Sequence, residues 1–178
     1  AAQIAIGKGH KVHTTFFGSS FANKLVDIGG KFDLIVANNV LAHVPNINDF
    51  ASGMKKCLRK TGVITVENAS SMKLIKNYLF DTVYHEHYSY LSLTAMKQLA
   101  RRNGLKIFDV ENIDVHGGSL RYYLTHLENS SIKTSNRVQE IQNQEVIGGL
   151  QDENSYLNFE KMCKNIKQEF CVFLYDAL

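Results

Sequence analysis

The sequence has little of what marks several protein classes. Its three cysteines, Cys57, Cys163 and Cys171, are odd in number and make no CxxC pair. That argues against a disulfide scaffold and a cysteine-based zinc site, and for a reducing compartment. No apolar run approaches the roughly 20 residues of a membrane span, and no signal-peptide pattern opens the chain. A cytoplasmic setting with no membrane partner is therefore expected. Basic residues are spread along the chain rather than clustered, and the net charge is only +3. That is too mild a balance to argue for nucleic acid. There is one proline, Pro45, and no internal repeat or low-complexity segment.

What remains is an ordinary globular composition, 44% apolar over 178 residues, enough for one domain with an appendage. "AAQIAIGKGH" reads as the tail of a helix with Gly9 as its left-handed cap. A chain that opens inside a helix suggests sequence upstream of Ala1. "KVHTTFF" (11–17) is β-branched and aromatic and predicts a short strand. Ser19 or Ser20 then caps a helix carrying Phe21, Leu25 and Ile28, closed by Gly29 and Gly30. The run "FDLIVANNV" predicts a strand buried on both sides of a parallel sheet.

Asn48 is placed to cap the next helix, with Phe50, Met54, Cys57 and Leu58 on its apolar face and Gly62 at its end. "VITVENA" is the next buried strand, and residues 71–79 read as helical. Ser92 caps "SLTAMKQLARRNG", whose core residues are Leu93, Met96 and Ala100 and whose stop is Gly104. "LKIFDVENIDV" and "SLRYYLTHL" are strands joined through His116-Gly117-Gly118, a hairpin signal because tight hairpin turns need positive φ. From Ser135 the pattern is helical and polar. Tyr156, Phe159, Cys163, Ile166, Phe170, Phe173 and Ala177 recur at 3-4 spacing, a heptad seam able to pair with another helix, another subunit or its own domain.

The fold class is thus α/β: a partial Rossmann-like sheet ending in an antiparallel hairpin, then a long C-terminal helix. Ligands of open parallel sheets bind beyond the carboxyl ends of the strands. Asn38, Asn39 and His43 follow one strand, "DTVYHEHYSY" (81–90) follows the next, and His116 with Gly117 and Gly118 follows a third.

Three readings of residues 81–90 compete. His85 and His87, two apart on a strand, would share a face about 6–7 Å apart and could ligate zinc with His43 or His116. The residues could be polar groups satisfied within the fold. Or they could do acid–base chemistry, a carboxylate orienting a histidine and a tyrosine donating to an oxyanion.

"FDLIVANNVLAHVPNINDF" and "FDTVYHEHYSYLSLTAMKQLARRNGLKIFDVENIDVHGGSLRYYL", in this order, resemble the sugar C-methyltransferases over roughly residues 1–126. The resemblance implies a methyl transfer from S-adenosylmethionine to C3 of a nucleotide-linked 4-keto-sugar by way of an enolate. It implies His87 as general base with Glu86 beside it, and His43, Tyr84 and Asn39 around the sugar. His116, Gly117 and Gly118 would border the substrate pocket, and Asn38 and Phe17 would lie towards the cofactor. No metal is implied.

The family has an N-terminal zinc domain, a central class I methyltransferase domain and a C-terminal α/β domain. The chain resembles the middle part: a partial methyltransferase domain over 1–127 lacking its first two strands, and a helical connection over 128–178. The glycine-rich loop and the ribose-binding acid of the fold would lie upstream, so cofactor binding by this chain is expected to be weak or lost. The open edge of the "FDLIVA" strand would be covered by "KVHTTFF" or by another subunit. A homodimer through that edge or through the 156–177 helix is the expected partner, an inactive oligomerising module the alternative function.

Overall fold

A computed structural model describes residues 1–177. The apolar runs become four strands, β1 (Phe32–Asn38), β2 (Leu58–Ala69), β3 (Leu105–Ile113) and β4 (Ser119–His126), in the sheet order β1-β2-β4-β3. β1 pairs parallel with β2, and β4 pairs antiparallel with both β2 and β3. β1, β2 and β3 therefore run in the same direction, and their carboxyl ends share one edge of the sheet. The α/β expectation, with a terminal hairpin and a long last helix, holds.

The helices are α1 (Ala2–Gly7), α2 (Ser19–Gly29), α3 (Ile47–Cys57), α4 (Ser71–Lys76), α5 (Leu93–Arg102), α6 (Asn136–Ile147) and α7 (Glu153–Asp176), with 3₁₀ turns at Leu41–His43 and Phe80–Thr82. Alternate residues of β2 and β4, among them Ile64, Val66, Leu120, Tyr122 and Leu124, meet Met54 of α3, Met96 of α5 and Ile141 of α6 in one core. Full burial of a Leu, Ile, Met or Phe side chain contributes about 1.5–3 kcal/mol each, so this layer holds the sheet to its helices. β2 is gripped on both sides by strands, which rigidifies the carboxyl edge on which the site stands. No helix among the described residues is long and apolar enough to cross a membrane.

Several local expectations hold with their physical reasons. Ser92 accepts from the amide of Ala95 and caps α5. Gly9, Gly30 and Gly104 take positive φ where the first, second and fifth helices end. Leu93, Met96 and Ala100 are buried.

Others are corrected. Residues 11–17 form no strand. His13 packs on Phe21 and Phe17 on Phe50, so the segment lies against the helices instead of sliding in beside β1. β1 is consequently not buried on both sides. It is the edge strand, with Leu34 58% and Val36 57% exposed and only Ala37 buried.

The cap of α2 is Gly18, not Ser19 or Ser20, because the Ser19 amide and hydroxyl both donate to Asp49 at the start of α3. The cap of α3 is Asn46, two residues before Asn48, and it accepts from the Asp49 amide. Gly62 ends no helix. It lies inside β2, where a Cβ would come within 3.0 Å of the Phe32 and Asp33 carbonyls, so close strand approach explains the glycine. The hairpin turn is longer than two residues, with His116, Gly117 and Gly118 all at positive φ.

The seam of α7 is divided. Phe159 stacks on Tyr78, ring centroids 6.4 Å apart, so the near half of the helix packs on its own domain. Phe170 and Phe173 stand exposed.

Candidate active site

The site is built where β1 and β2 end. Asn39 continues the pairing beyond β1 through its amide, which donates to the Glu67 carbonyl at 2.8 Å. Its φ of 50° turns the chain sharply, a conformation asparagine tolerates better than most residues. The turn feeds the Leu41–His43 segment, whose Leu41 and Ala42 are buried and so anchor it. The Ala42 carbonyl accepts from the amides of Tyr88 (2.8 Å) and Ser89 (3.3 Å). Two loops distant in sequence are thereby stitched together by backbone bonds, and His43 is delivered to the 84–90 segment.

That segment is not a strand. The amide of His87 donates to the Tyr84 carbonyl at 3.1 Å, closing a turn. The rings of Tyr84 and Tyr90 pack on His87 at centroid distances of 4.2 Å and 5.7 Å, and His43 lies 4.7 Å from it. His87 is half-buried within this aromatic cluster while Tyr84, His85 and Glu86 are exposed. The turn removes the shared strand face on which a His85–His87 metal pair depends. Among the described residues no group of three or more His, Cys, Asp or Glu is placed to hold a metal.

The two imidazoles are oriented by backbone carbonyls. Nδ1 of His87 is 2.9 Å from the Thr82 carbonyl, and Nδ1 of His43 is 3.2 Å from the Glu86 carbonyl. A carbonyl oxygen can only accept, so each Nδ1 carries the proton and each neutral ring keeps its lone pair on Nε2. Glu86 contributes its backbone carbonyl, to His43. No hydrogen bond or ion pair joins its carboxylate to His87 among the described residues, so the orienter of His87 is the Thr82 carbonyl.

His116 is exposed on the hairpin loop, with no ring contact to the His43–His87 pair. The loop reaches the site through its glycines. Gly117 lies against Leu79, at the head of the turn that holds Thr82, and Gly118 lies against Lys73. The Ser70 amide donates to the Gly118 carbonyl at 3.0 Å. Asn38 is exposed at the end of β1, and Phe17 is half-buried at the start of α2, its ring edge-on to Phe50 at 5.2 Å. The structure therefore brings Asn39, His43, Tyr84 and His87 to one place, and leaves His116 and Phe17 on its margins.

Tyr90 closes the stretch that the sequence marked, whereas Thr82 and Asn68 are in the site without a role having been assigned to them from the sequence. The role of Thr82 is carried by its main chain, which no residue pattern reports. Asn68 left a signal, a polar residue inside the apolar run of β2.

Residues 3–110 match a family model described as a methyltransferase domain, and residues 114–178 one described as a C-methyltransferase C-terminal domain. The passage between the two falls at the end of β3, just before the loop that joins it to β4. The C-methyltransferase NovU of Streptomyces niveus is 33% identical over 119 residues, which are 67% of this chain and 28% of NovU. The chain thus spans 28% of the length of the curated relative it matches. A S-adenosylmethionine-dependent methyltransferase from Clostridium acetobutylicum ATCC 824 superposes over 70% of this chain and 68% of that one, with a TM-score of 0.50 and 12% identity. At that identity the likeness is one of fold: a Rossmann-like methyltransferase.

Proposed function

Starting from the chain's membership of the S-adenosylmethionine-dependent C-methyltransferase family, we propose that its 39–43 and 82–90 loops form the proton-abstracting half of an active site. The acceptor is a nucleotide-linked 4-keto-sugar and the carbon methylated is C3. The observation that carries this reading is the Thr82–His87 hydrogen bond. It holds the proton on Nδ1 and leaves Nε2 as a base in a half-buried aromatic setting.

The chemistry follows from that geometry. A carbonyl at C4 acidifies the hydrogen on C3. Nε2 of His87 takes that proton, and the C–H electron pair moves into the enolate. The Tyr84 hydroxyl and the side-chain amide of Asn39 are the donors offered to the developing oxyanion, which needs them already in place. Protonated His87 is then a cation beside an anion. The Thr82 carbonyl favours that state, because the bond it accepts from Nδ1 strengthens when the ring is charged. His43 bounds the cluster on its other side, with its own Nε2 available to the sugar.

S-adenosylmethionine supplies, when bound, an electrophilic methyl group on a sulfonium sulfur. The residues of this chain fit one wall of its site. Asn38 and the turned backbone at Asn39 present polar groups at the end of β1, while the Phe17 ring is already engaged by Phe50. Methyl transfer depends mainly on in-line placement of the two reactants, and the rigid β1–β2 edge supports that placement from the acceptor side.

Self-association is part of the same reading. The bare face of β1 and the exposed Phe170 and Phe173 of α7 are the surfaces that support a homodimer. The substrate reading is tested by supplying the full-length enzyme with a nucleotide-linked 4-keto-sugar and methyl-labelled donor. Nuclear magnetic resonance should locate the label on C3. A label on oxygen or nitrogen would refute it.

A further inference from the structure

Asn68 stands next to the end of β2 and is 2% exposed. Its Nδ2 donates to the Ala69 carbonyl at 2.9 Å. That bond fixes the amide, because the flipped form would set one oxygen against another. Its Oδ1 is buried and has no hydrogen-bond partner among the described residues. Leaving such an acceptor unmet is costly, and native folds rarely do so without a use for it.

Asn68 stands in the wall of a cavity of about 20 Å³ that Asn39, Thr82, His87, Ser89 and Tyr90 also line. That volume takes a single oxygen with its hydrogen and nothing larger. Two of those residues, Asn39 and His87, have roles in the proposed chemistry. An amide oxygen only accepts, so the group it receives must donate: a hydroxyl fits, whereas a ketone, an enolate or an unprotonated phosphate does not.

We propose that Asn68 is a specificity residue which accepts a hydrogen bond from a hydroxyl group of the acceptor, borne next to the carbon that His87 deprotonates. The inference rests on the reading of His87 as base and adds to it the chemistry of the neighbouring substituent: the acceptor is a hydroxy ketone, held by its hydroxyl as well as by its carbonyl. One competing donor exists inside the fold. The Tyr122 hydroxyl, fully buried on the same face of the sheet, lies beside the Asn68 amide, although no hydrogen bond of good geometry joins the two.

The test compares kcat/KM of the full-length enzyme for a keto-sugar bearing that hydroxyl and for its deoxy analogue, in the native protein, Asn68→Ala and Tyr122→Phe. The native enzyme should prefer the hydroxylated acceptor roughly 10–100-fold. Asn68→Ala should remove the preference by losing only the hydroxylated substrate, and Tyr122→Phe should keep it. Absence of a preference in the native enzyme would overturn the proposal, as would equal loss on both acceptors. So would a preference that arises only in Tyr122→Phe, since the phenol would then satisfy Asn68 in the native fold. Should Asn68→Ala fail to fold, the native protein and Tyr122→Phe still decide. Deuterium exchange at C3 is followed in the same native samples. Its absence would sink the base assignment, whereas exchange without a hydroxyl preference would sink the Asn68 proposal alone.

Discussion

Nδ1 of His87 lies 2.9 Å from the carbonyl oxygen of Thr82, and the Thr82 hydroxyl in turn donates to the Leu79 carbonyl at 2.8 Å. The second bond steadies the turn that presents the first. Thr82→Val keeps the shape and removes the hydroxyl, at a cost of about 1 kcal/mol to the turn. The expected result is a fall in kcat for C3 proton exchange of roughly 5-fold, with little change in acceptor KM. A changed KM with unchanged kcat would show that the turn serves binding instead.

Gly117 couples the hairpin loop to the same turn. Its φ is 75°, and a Cβ there would sit 2.4 Å from Leu79 Cδ1. Gly117→Ala should therefore destabilise the fold by about 1–2 kcal/mol and also slow exchange, since the displaced Leu79 begins the Thr82 turn. Thermal melts and exchange rates on the same variant check both effects.

Glu145 of α6 is buried and accepts the first two amides of α5, from Leu93 at 2.5 Å and Thr94 at 2.9 Å, and the Thr94 hydroxyl at 2.8 Å. A carboxylate at a helix N-terminus also meets the positive end of its dipole. Glu145→Ala leaves buried donors unmet and a void behind, for a loss of about 3 kcal/mol. Urea denaturation should report it as a lower midpoint at similar slope.

Asp49 pins the start of α2 to α3. Its carboxyl is held below the ordinary 3.8 by the Ser19 hydroxyl first and then by the Ser19 amide, against a rise from desolvation that outweighs the further lowering by the Lys56 charge. A depressed native pKa contributes stability that is full above the unfolded value and is lost as pH falls through the native one. The stability gap between the native chain and Asp49→Asn should therefore be constant near neutrality and close below about pH 4. A gap that persists in strong acid would assign the effect to shape rather than charge.

The α/β alternation, the hairpin and the shared carboxyl edge were legible because continuous apolar runs, glycines and capping serines report them locally. The convergence of His43 with the 84–90 segment followed from strand direction. What was not legible rests on the main chain and on tertiary choice. Thr82 acts through a carbonyl that any residue would possess, and Glu86 likewise offers His43 its carbonyl rather than its carboxylate. The β-prone residues 11–17 gave up a strand because His13 and Phe17 found ring partners on the helices. The edge position of β1 depends on which strands are present beside it, which no local pattern encodes.

The exposed half of α7 gives a direct association test. A chain ending near Leu150 should scatter light as a smaller species than the native chain if Phe170 and Phe173 mediate pairing. The same association state for both would move the contact to the β1 edge or remove it.

The central claim is that His87 removes the C3 proton. It is tested most directly by incubating the full-length enzyme with keto-sugar in deuterium oxide and following C3 by nuclear magnetic resonance. The native protein should incorporate deuterium, and His87→Ala, folded by circular dichroism, should lose at least about 100-fold of that rate. Exchange at the native rate in His87→Ala would contradict the account and place the base elsewhere.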